Sequence, residues 1–225
     1  MTVPTPPAVH AELRANLKLA LPLMTAQLAG VGMGTVDTIF AGRLGARPLA
    51  AVAVGTNVQV LFLVFFMGLL MSCSPIVAHM VGAARPQGEI GGFLRRALRF
   101  ALAAGVAWML AFNLLASPLL ALLKLDADTA RQTLGFMRAL SASGIGFSLW
   151  FALRSCAEGM GQTRPILYAS VAGLAANAVL DWLLLFGYFG LPRLGATGCG
   201  VATSVSTLLM SGVLAWQFRR RAGLR

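Results

Sequence analysis

The sequence predicts an all-α polytopic membrane protein, a bundle of six transmembrane helices. Three observations carry this: long apolar runs without charge, an apolar excess, and basic residues gathered in the joints between runs. With 58% of 225 residues hydrophobic and 11% charged, the chain holds more apolar surface than a soluble core of that size can bury. A spanning helix needs about 20 apolar residues at 1.5 Å each. The uncharged stretches 19–36, 100–123 and 194–218 have about that length.

Six spans follow in order, at about 17–40, 49–72, 98–122, 132–153, 165–188 and 195–218, between an N-terminal tail 1–16 and a basic C-terminal tail 219–225. The tail is rich in proline and polar residues and has no apolar run, so no cleavable signal is expected and the first span acts as its own targeting segment. Pro22, early in span 1, removes one backbone hydrogen bond and marks a bend or hinge. The uncharged stretch 49–84 is too long for one upright span, and is read as a helix that tilts or leaves the membrane near Pro75. Spans 4 and 5 are each interrupted by a single charge, Arg138 and Asp181. The joints 43–48, 124–131 and 189–194 face outward, and 82–96 and 154–164 inward. Glycines at 30, 32 and 34, and again at 195, 198 and 200, are expected to let helix backbones approach closely. Cys73, Cys156 and Cys199 show no paired spacing, so neither a disulfide nor a cysteine-bound metal is expected.

A net charge of +11 raises the question of nucleic acid, which the placement of the basic residues answers. With the N-terminus in the cytoplasm, the inner side holds Arg14, Lys18, Arg85, Arg95, Arg96, Arg99, Arg154, Arg164, Arg219, Arg220, Arg221 and Arg225. The outer side holds only Arg43, Arg47, Lys124, Arg131 and Arg193. Translocation disfavours Lys and Arg in short loops, so both termini are expected in the cytoplasm of a multi-pass, bacterial-type inner membrane protein. The basic excess is therefore read as membrane topology, with the lipid bilayer as partner and no nucleic acid.

Five of the seven carboxylates lie in the tail or joints; Asp37 and Asp181 lie in spans. Burying a carboxylate there costs at least about 2.5–3.5 kcal/mol, so such residues mark ion or proton pathways. Counted from the inner anchors Lys18 and Arg164, both sit roughly 25–28 Å along outward-running helices and can share one layer. Asn177 precedes Asp181 by one turn on the same face. These hard oxygens suit H+, Na+ or an organic cation, and two carboxylates together in a dry place are expected to hold at least one proton between them. The hydroxyls of Thr203, Ser204, Ser206 and Thr207 are available to complete the site or to bond their own helix. Gln27 and Asn57 are candidate lining residues of a substrate cavity, and His79 is read as interfacial. Met33, Met67, Phe62, Phe65, Phe66, Trp150 and Trp182 suit either a pliable cavity or lipid contact.

Ordered motifs then resemble a known family. Leu21-Pro22, Val36-Asp37-Thr38, Gly42-Arg43-Leu44-Gly45 and Leu49-Ala50-Ala51-Val52 are similar to the first span and loop of the multidrug and toxic compound extrusion (MATE) transporters, NorM-like branch. Gly82-Ala83-Ala84-Arg85 resembles the loop after their second span. Leu153-Arg154-Ser155 and the stretch from Glu158 to Pro165, with Asn177 and Phe186-Gly187, resemble their fourth inner loop and fifth span. Gly195-Ala196 and Ala202-Thr203 resemble their sixth. The resemblance implies a bundle equivalent to one MATE lobe that exports small organic cations or amphiphiles in exchange for H+ or Na+, with no cofactor. It implies Asp37 as the coupling carboxylate, with Asn177, Asp181 and Thr203 as partners and Na+ as the only metal they would hold. Many NorM-like members carry Asn in place of Asp181.

The family has two six-span lobes, and this sequence supplies one. A second lobe, from another copy or separately encoded, is therefore an expected partner, and a non-transporting truncated lobe or accessory subunit is the alternative. An intramembrane aspartyl protease also needs two membrane aspartates. Here Ala178-Val179-Leu180, rather than Gly-x-Gly, precedes Asp181 and no tyrosine precedes Asp37, so no enzyme is expected.

Overall fold

A computed structural model describes residues 6–187 and 193–221. The outermost parts of both tails, Arg225, and residues 189–192 of the third outer joint lie outside the described residues. Within them the chain forms α1 (Pro6–Leu44), α2 (Ala46–Met71), α3 (Cys73–Gly82), α4 (Gln87–Leu122), α5 (Ala127–Ser141), α6 (Ser143–Gly159), α7 (Thr163–Phe186) and α8 (Ala196–Arg221). Taken with their continuations, these make six candidate membrane spans: α1, α2 with α3, α4, α5 with α6, α7, and α8. No strand occurs among the described residues.

Two spans are broken. Pro75 has no N–H to give the carbonyl of Met71, and its ring crowds that carbonyl, so the ladder fails at Ser72 and resumes as α3. The hydroxyl of Ser72 caps the gap by donating to the carbonyl of Leu69 at 2.9 Å. The second break, at Ala142, lets α6 lie against α4. A Cβ on Gly105 would stand 2.7 Å from the backbone of Ile145, and one on Gly144 would meet the Trp108 ring at 2.7 Å. Apolar run length did not reveal this break.

Several helices run past the apolar segments. α1 extends back to Pro6, α4 begins at Gln87 and so includes Glu89, Arg95 and Arg96, and α6 continues to Gly159 through the expected inner joint. An apolar run marks the part of a helix inside hydrocarbon, whereas Gln, Glu and Arg are good helix formers that carry the same helix on into the headgroups. The joint between α1 and α2 is a single residue: Gly45 has φ +122° and ψ 178°, a backbone region essentially reserved for glycine. α7 ends on Gly187 in the left-handed conformation, which frees the chain to turn. Asp126 caps α5 by accepting from the Thr129 N–H at 3.1 Å.

The interior is layered. One apolar cluster, at the end expected to face inward, gathers Ala26, Leu70, Val77, Trp150, Ala169 and Met210. A second, at the opposite end, gathers Ala41, Val52, Trp108, Phe136, Leu185 and Cys199. Along α1, α7 and α8 the two clusters are separated by buried polar residues: Asp37, Asn177 with Asp181, and Thr203 with Ser206 and Thr207. Outside, Leu21, Leu28, Val31, Leu61, Phe65, Leu114 and Leu122 are exposed, an apolar belt suited to lipid.

The aromatic residues divide accordingly. Phe62, Phe66 and Phe147 surround Trp108 with centroid distances of 6.2, 5.2 and 6.1 Å, all stacked, and so belong to the lobe's core. Met33 and Trp150 are buried too, whereas Phe65 and Trp182 are exposed. The α1 glycines depart from expectation. A Cβ on Gly30 or Gly34 would meet nothing within 4 Å, and one on Gly32 only the Leu174 side chain at 3.4 Å. Close packing within the lobe does hold for Gly198 and Gly200, whose added Cβ atoms would strike backbone at 3.1 and 2.7 Å. Side chains on the latter pair face α7 and α5, while the former lie on a face the lobe leaves uncovered.

A buried acid pair as candidate functional site

Three helices build the centre. α1 brings Asp37 inward among exposed Gly34, Thr35 and Thr38, α7 brings Asn177 and Asp181 from one face, and α8 brings Thr203. Asn177 Nδ2 donates to Asp37 Oδ1 at 3.0 Å, and Thr203 Oγ1 donates to Asp37 Oδ2 at 2.9 Å. Both carboxylate oxygens of Asp37 thus have neutral donors on different helices. The Cys199 thiol also approaches the Asp37 carbonyl oxygen, at 3.9 Å.

Asp181 is in a different condition. It is fully buried, its carboxyl stands against that of Asp37 and the thiol of Cys199, and neither of its oxygens receives a protein donor. Asn177 Oδ1 is buried and open as well, because its amide nitrogen is turned to Asp37. Three acceptors with no donor, beside a second carboxyl, make a strongly electronegative spot inside an apolar lobe. Like charges this close in a dry site are stable only with a proton or cation between them. The centre lies about 10 Å from the C-terminal end of α1 and about 8 Å from that of α7 at 1.5 Å per residue.

The four residues expected to act together are therefore brought together, and the others are not. Gln27 lies apart from the acid pair, on the inner part of α1, where its Oε1 accepts from Arg154 Nη1 at 2.8 Å. Arg154 Nε in turn donates to Glu158 Oε1 at 2.7 Å, a half-buried ion pair. Asn57 is exposed on α2, and His79 is exposed near the end of α3. Ser204 donates to the Ala139 carbonyl and Thr207 to the Thr203 and Ser204 carbonyls, while the buried Ser206 hydroxyl is open. Two contributions were not anticipated. Cys199 touches both acids, and Gln59 donates to Ser143 Oγ at 3.0 Å, extending the polar layer from α2 to α6 at the break. No cluster of three or more metal-ligating His, Cys, Asp or Glu side chains occurs among the described residues.

Fold and centre together define a polytopic membrane lobe with a buried intramembrane acid pair. The MatE family model matches residues 22–183. Multidrug resistance protein PmpM of Pseudomonas aeruginosa is 34% identical over 209 residues, covering 92% of this chain and 44% of PmpM. Multidrug resistance protein MdtK of Yersinia pestis is 34% identical over 209 residues, covering 93% of this chain and 46% of MdtK. A crystal structure of a MATE in the bent conformation superposes with a TM-score of 0.82 at 22% identity, over 92% of this chain and 46% of that one. The chain belongs to the MATE family, and its fold is that of one MATE lobe. It spans about half the length of the curated relatives it matches.

Proposed function

We propose that the chain is one lobe of a secondary active antiporter that exports organic cations, drugs or metabolites in exchange for H+ or Na+. The observation that carries this is the open Asp181 carboxyl against the donor-saturated Asp37 in the lobe's core. Two buried carboxyls of this kind are costly unless a cation enters. A proton would bridge the pair, or Na+ would take the oxygens of Asp181, Asn177 and Asp37, all hard ligands. Cation entry pulls α7 and α1 together, and loss of the cation drives them apart, so occupancy biases how α1 is held. Pro22 leaves the Lys18 carbonyl without its helical donor and gives α1 a place to bend. Both termini lie in the cytoplasm of the inner membrane, so the ion enters from the outer side, nearer the acid pair.

The exported compound would pass between this lobe and a second one. Gly30 and Gly34, four apart on α1 with nothing against them, fit a face that a neighbouring helix approaches closely. The second reading is a non-transporting lobe or accessory membrane subunit. One preparation tests both. The chain is reconstituted, its mass determined in nanodiscs, and export of ethidium-like dyes driven by imposed H+ or Na+ gradients. Ion-driven export by a two-lobe particle is expected, abolished by Asp37→Asn and only impaired by Asp181→Asn. Export by Asp37→Asn at the unmutated rate, with the same pH and Na+ dependence, refutes the site. No export from a correctly inserted chain in any assembly supports the accessory reading.

A further inference from the structure

Cys73 and Cys156 are far apart in sequence and show no paired spacing, yet the fold places them in one apolar cluster on two helices that touch. Cys73 opens α3, just past the break at Ser72, and Cys156 lies one turn short of the end of α6. Both are free, buried, and members of the inner apolar cluster. Cys73 shares a face of α3 with Val77, and Cys156 shares a face of α6 with Gly159, one turn on in each case.

The backbones around them are equally close. Gly159, one turn beyond Cys156, leaves so little space that a Cβ there would stand 2.5 Å from the Ser74 carbonyl oxygen and 2.9 Å from Val77 Cβ. α3 and α6 therefore touch backbone to backbone at the residues flanking the two cysteines. A disulfide needs short Cα and Cβ separations, and this is the kind of helix contact that supplies them. The acid pair does not use either thiol, and neither belongs to the Arg154–Glu158–Gln27 contact.

We propose that Cys73 and Cys156 form a redox-closable cross-link that ties the inner segment of the second span to the fourth. With a two-electron oxidant of the azo class, one thiolate adds to the N=N bond and the other displaces it from sulfur. The S–S bond forms, two S–H bonds break, and two electrons and two protons pass to the azo group, leaving a hydrazine. Closure fixes α3, which follows α2 past the interrupted hydrogen-bond ladder at Ser72, onto α6. A thiol reductant reopens it. This inference does not depend on transport.

The full chain in nanodiscs is treated with diamide, its remaining thiols are capped with N-ethylmaleimide, and unreduced peptides are mapped by mass spectrometry. The expected result is a Cys73–Cys156 peptide at least about tenfold over any link to Cys199, because proximity acts as effective concentration. It should disappear after dithiothreitol and be absent from Cys73→Ser and Cys156→Ser. A chain unfolded in SDS before oxidation should lose the preference. The proposal is overturned if saturating diamide leaves both residues capped, if links to Cys199 form as readily, or if the link joins two chains on a non-reducing gel.

Discussion

The same substitution, glycine to alanine, should change stability in opposite directions at two places in this lobe. At Gly105 on α4 the new methyl would sit 2.7 Å from Ile145 Cα and 3.0 Å from the Gly144 carbonyl oxygen, both backbone atoms that no rotamer change can move. Restoring ordinary contact requires α4 and α6 to part by about 0.7 Å or more, which forfeits dispersion along the whole interface. Overpacking of this kind costs about 1–3 kcal/mol, offset by the roughly 0.5–1 kcal/mol that alanine gains over glycine inside a helix. The net loss is about 1–2 kcal/mol. At Gly30 on α1 nothing lies within 4 Å, so only the helical gain remains and the isolated lobe should be more stable by about 0.5–1 kcal/mol. Equilibrium unfolding by SDS titration in mixed micelles, followed by tryptophan fluorescence, separates the two variants. Equal midpoints, or Gly30→Ala below Gly105→Ala, would refute the assignment of the α4–α6 contact as tight and of the Gly30 face as open.

Three further outcomes are expected. Gln59→Leu should lose about 1 kcal/mol, because it removes the buried bond to Ser143, and Ser143→Ala should restore much of it by removing the stranded hydroxyl. A double-mutant cycle with no coupling would contradict the bond. Arg154→Ala should cost about 1–3 kcal/mol, since it leaves the Glu158 carboxylate and the Gln27 oxygen without their shared donor, and Arg154→Lys should recover only part of it. Identical unfolding midpoints for all three forms would refute that role. For topology, a cysteine at Ala46 in a cysteine-free background should react with an impermeant maleimide added to intact cells, and one at Gln87 should not. The reverse pattern would invert the orientation and with it the outer-side position of the acid pair.

The sequence made the acid pair legible because a lone carboxylate within an apolar run is an anomaly that only burial with a purpose resolves. Asp37 and Asp181 stand out against lipid-compatible neighbours, and Asn177 follows from helical spacing alone. Gln59 and Ser143 carried no such signal. A neutral amide and a hydroxyl are ordinary in any span, and their pairing depends on the break at Ala142, which apolar run length does not register. Gln27 carried a signal but not its partner. Its polarity within a span pointed to a cavity, but its partner, Arg154, belongs to a stretch that composition marks as a joint and the fold makes the last turn of α6.

The glycines show most clearly where sequence reasoning stops. Gly30 and Gly34 on α1 and Gly198 and Gly200 on α8 have the same composition and the same apolar surroundings, and close helix packing was expected of both. On α8 the expectation is met by the backbones of α7 and α5; on α1 the space is open. Glycine in an exposed helix interior costs stability relative to alanine, so an uncovered run of it is unfavourable for the lobe by itself. The cost is recovered only if another surface comes close to α1, on the helix that also carries Asp37 and Pro22. The proposed second lobe, placed on this face, would adjoin the acid pair on the same helix. Leucine at Gly34 should separate the two properties: the lobe should fold and keep its Asp37 contacts, while assembly with a second lobe, read as particle mass in nanodiscs, should be lost. A Gly34→Leu chain that assembles as the unmutated one does would remove α1 from the interface.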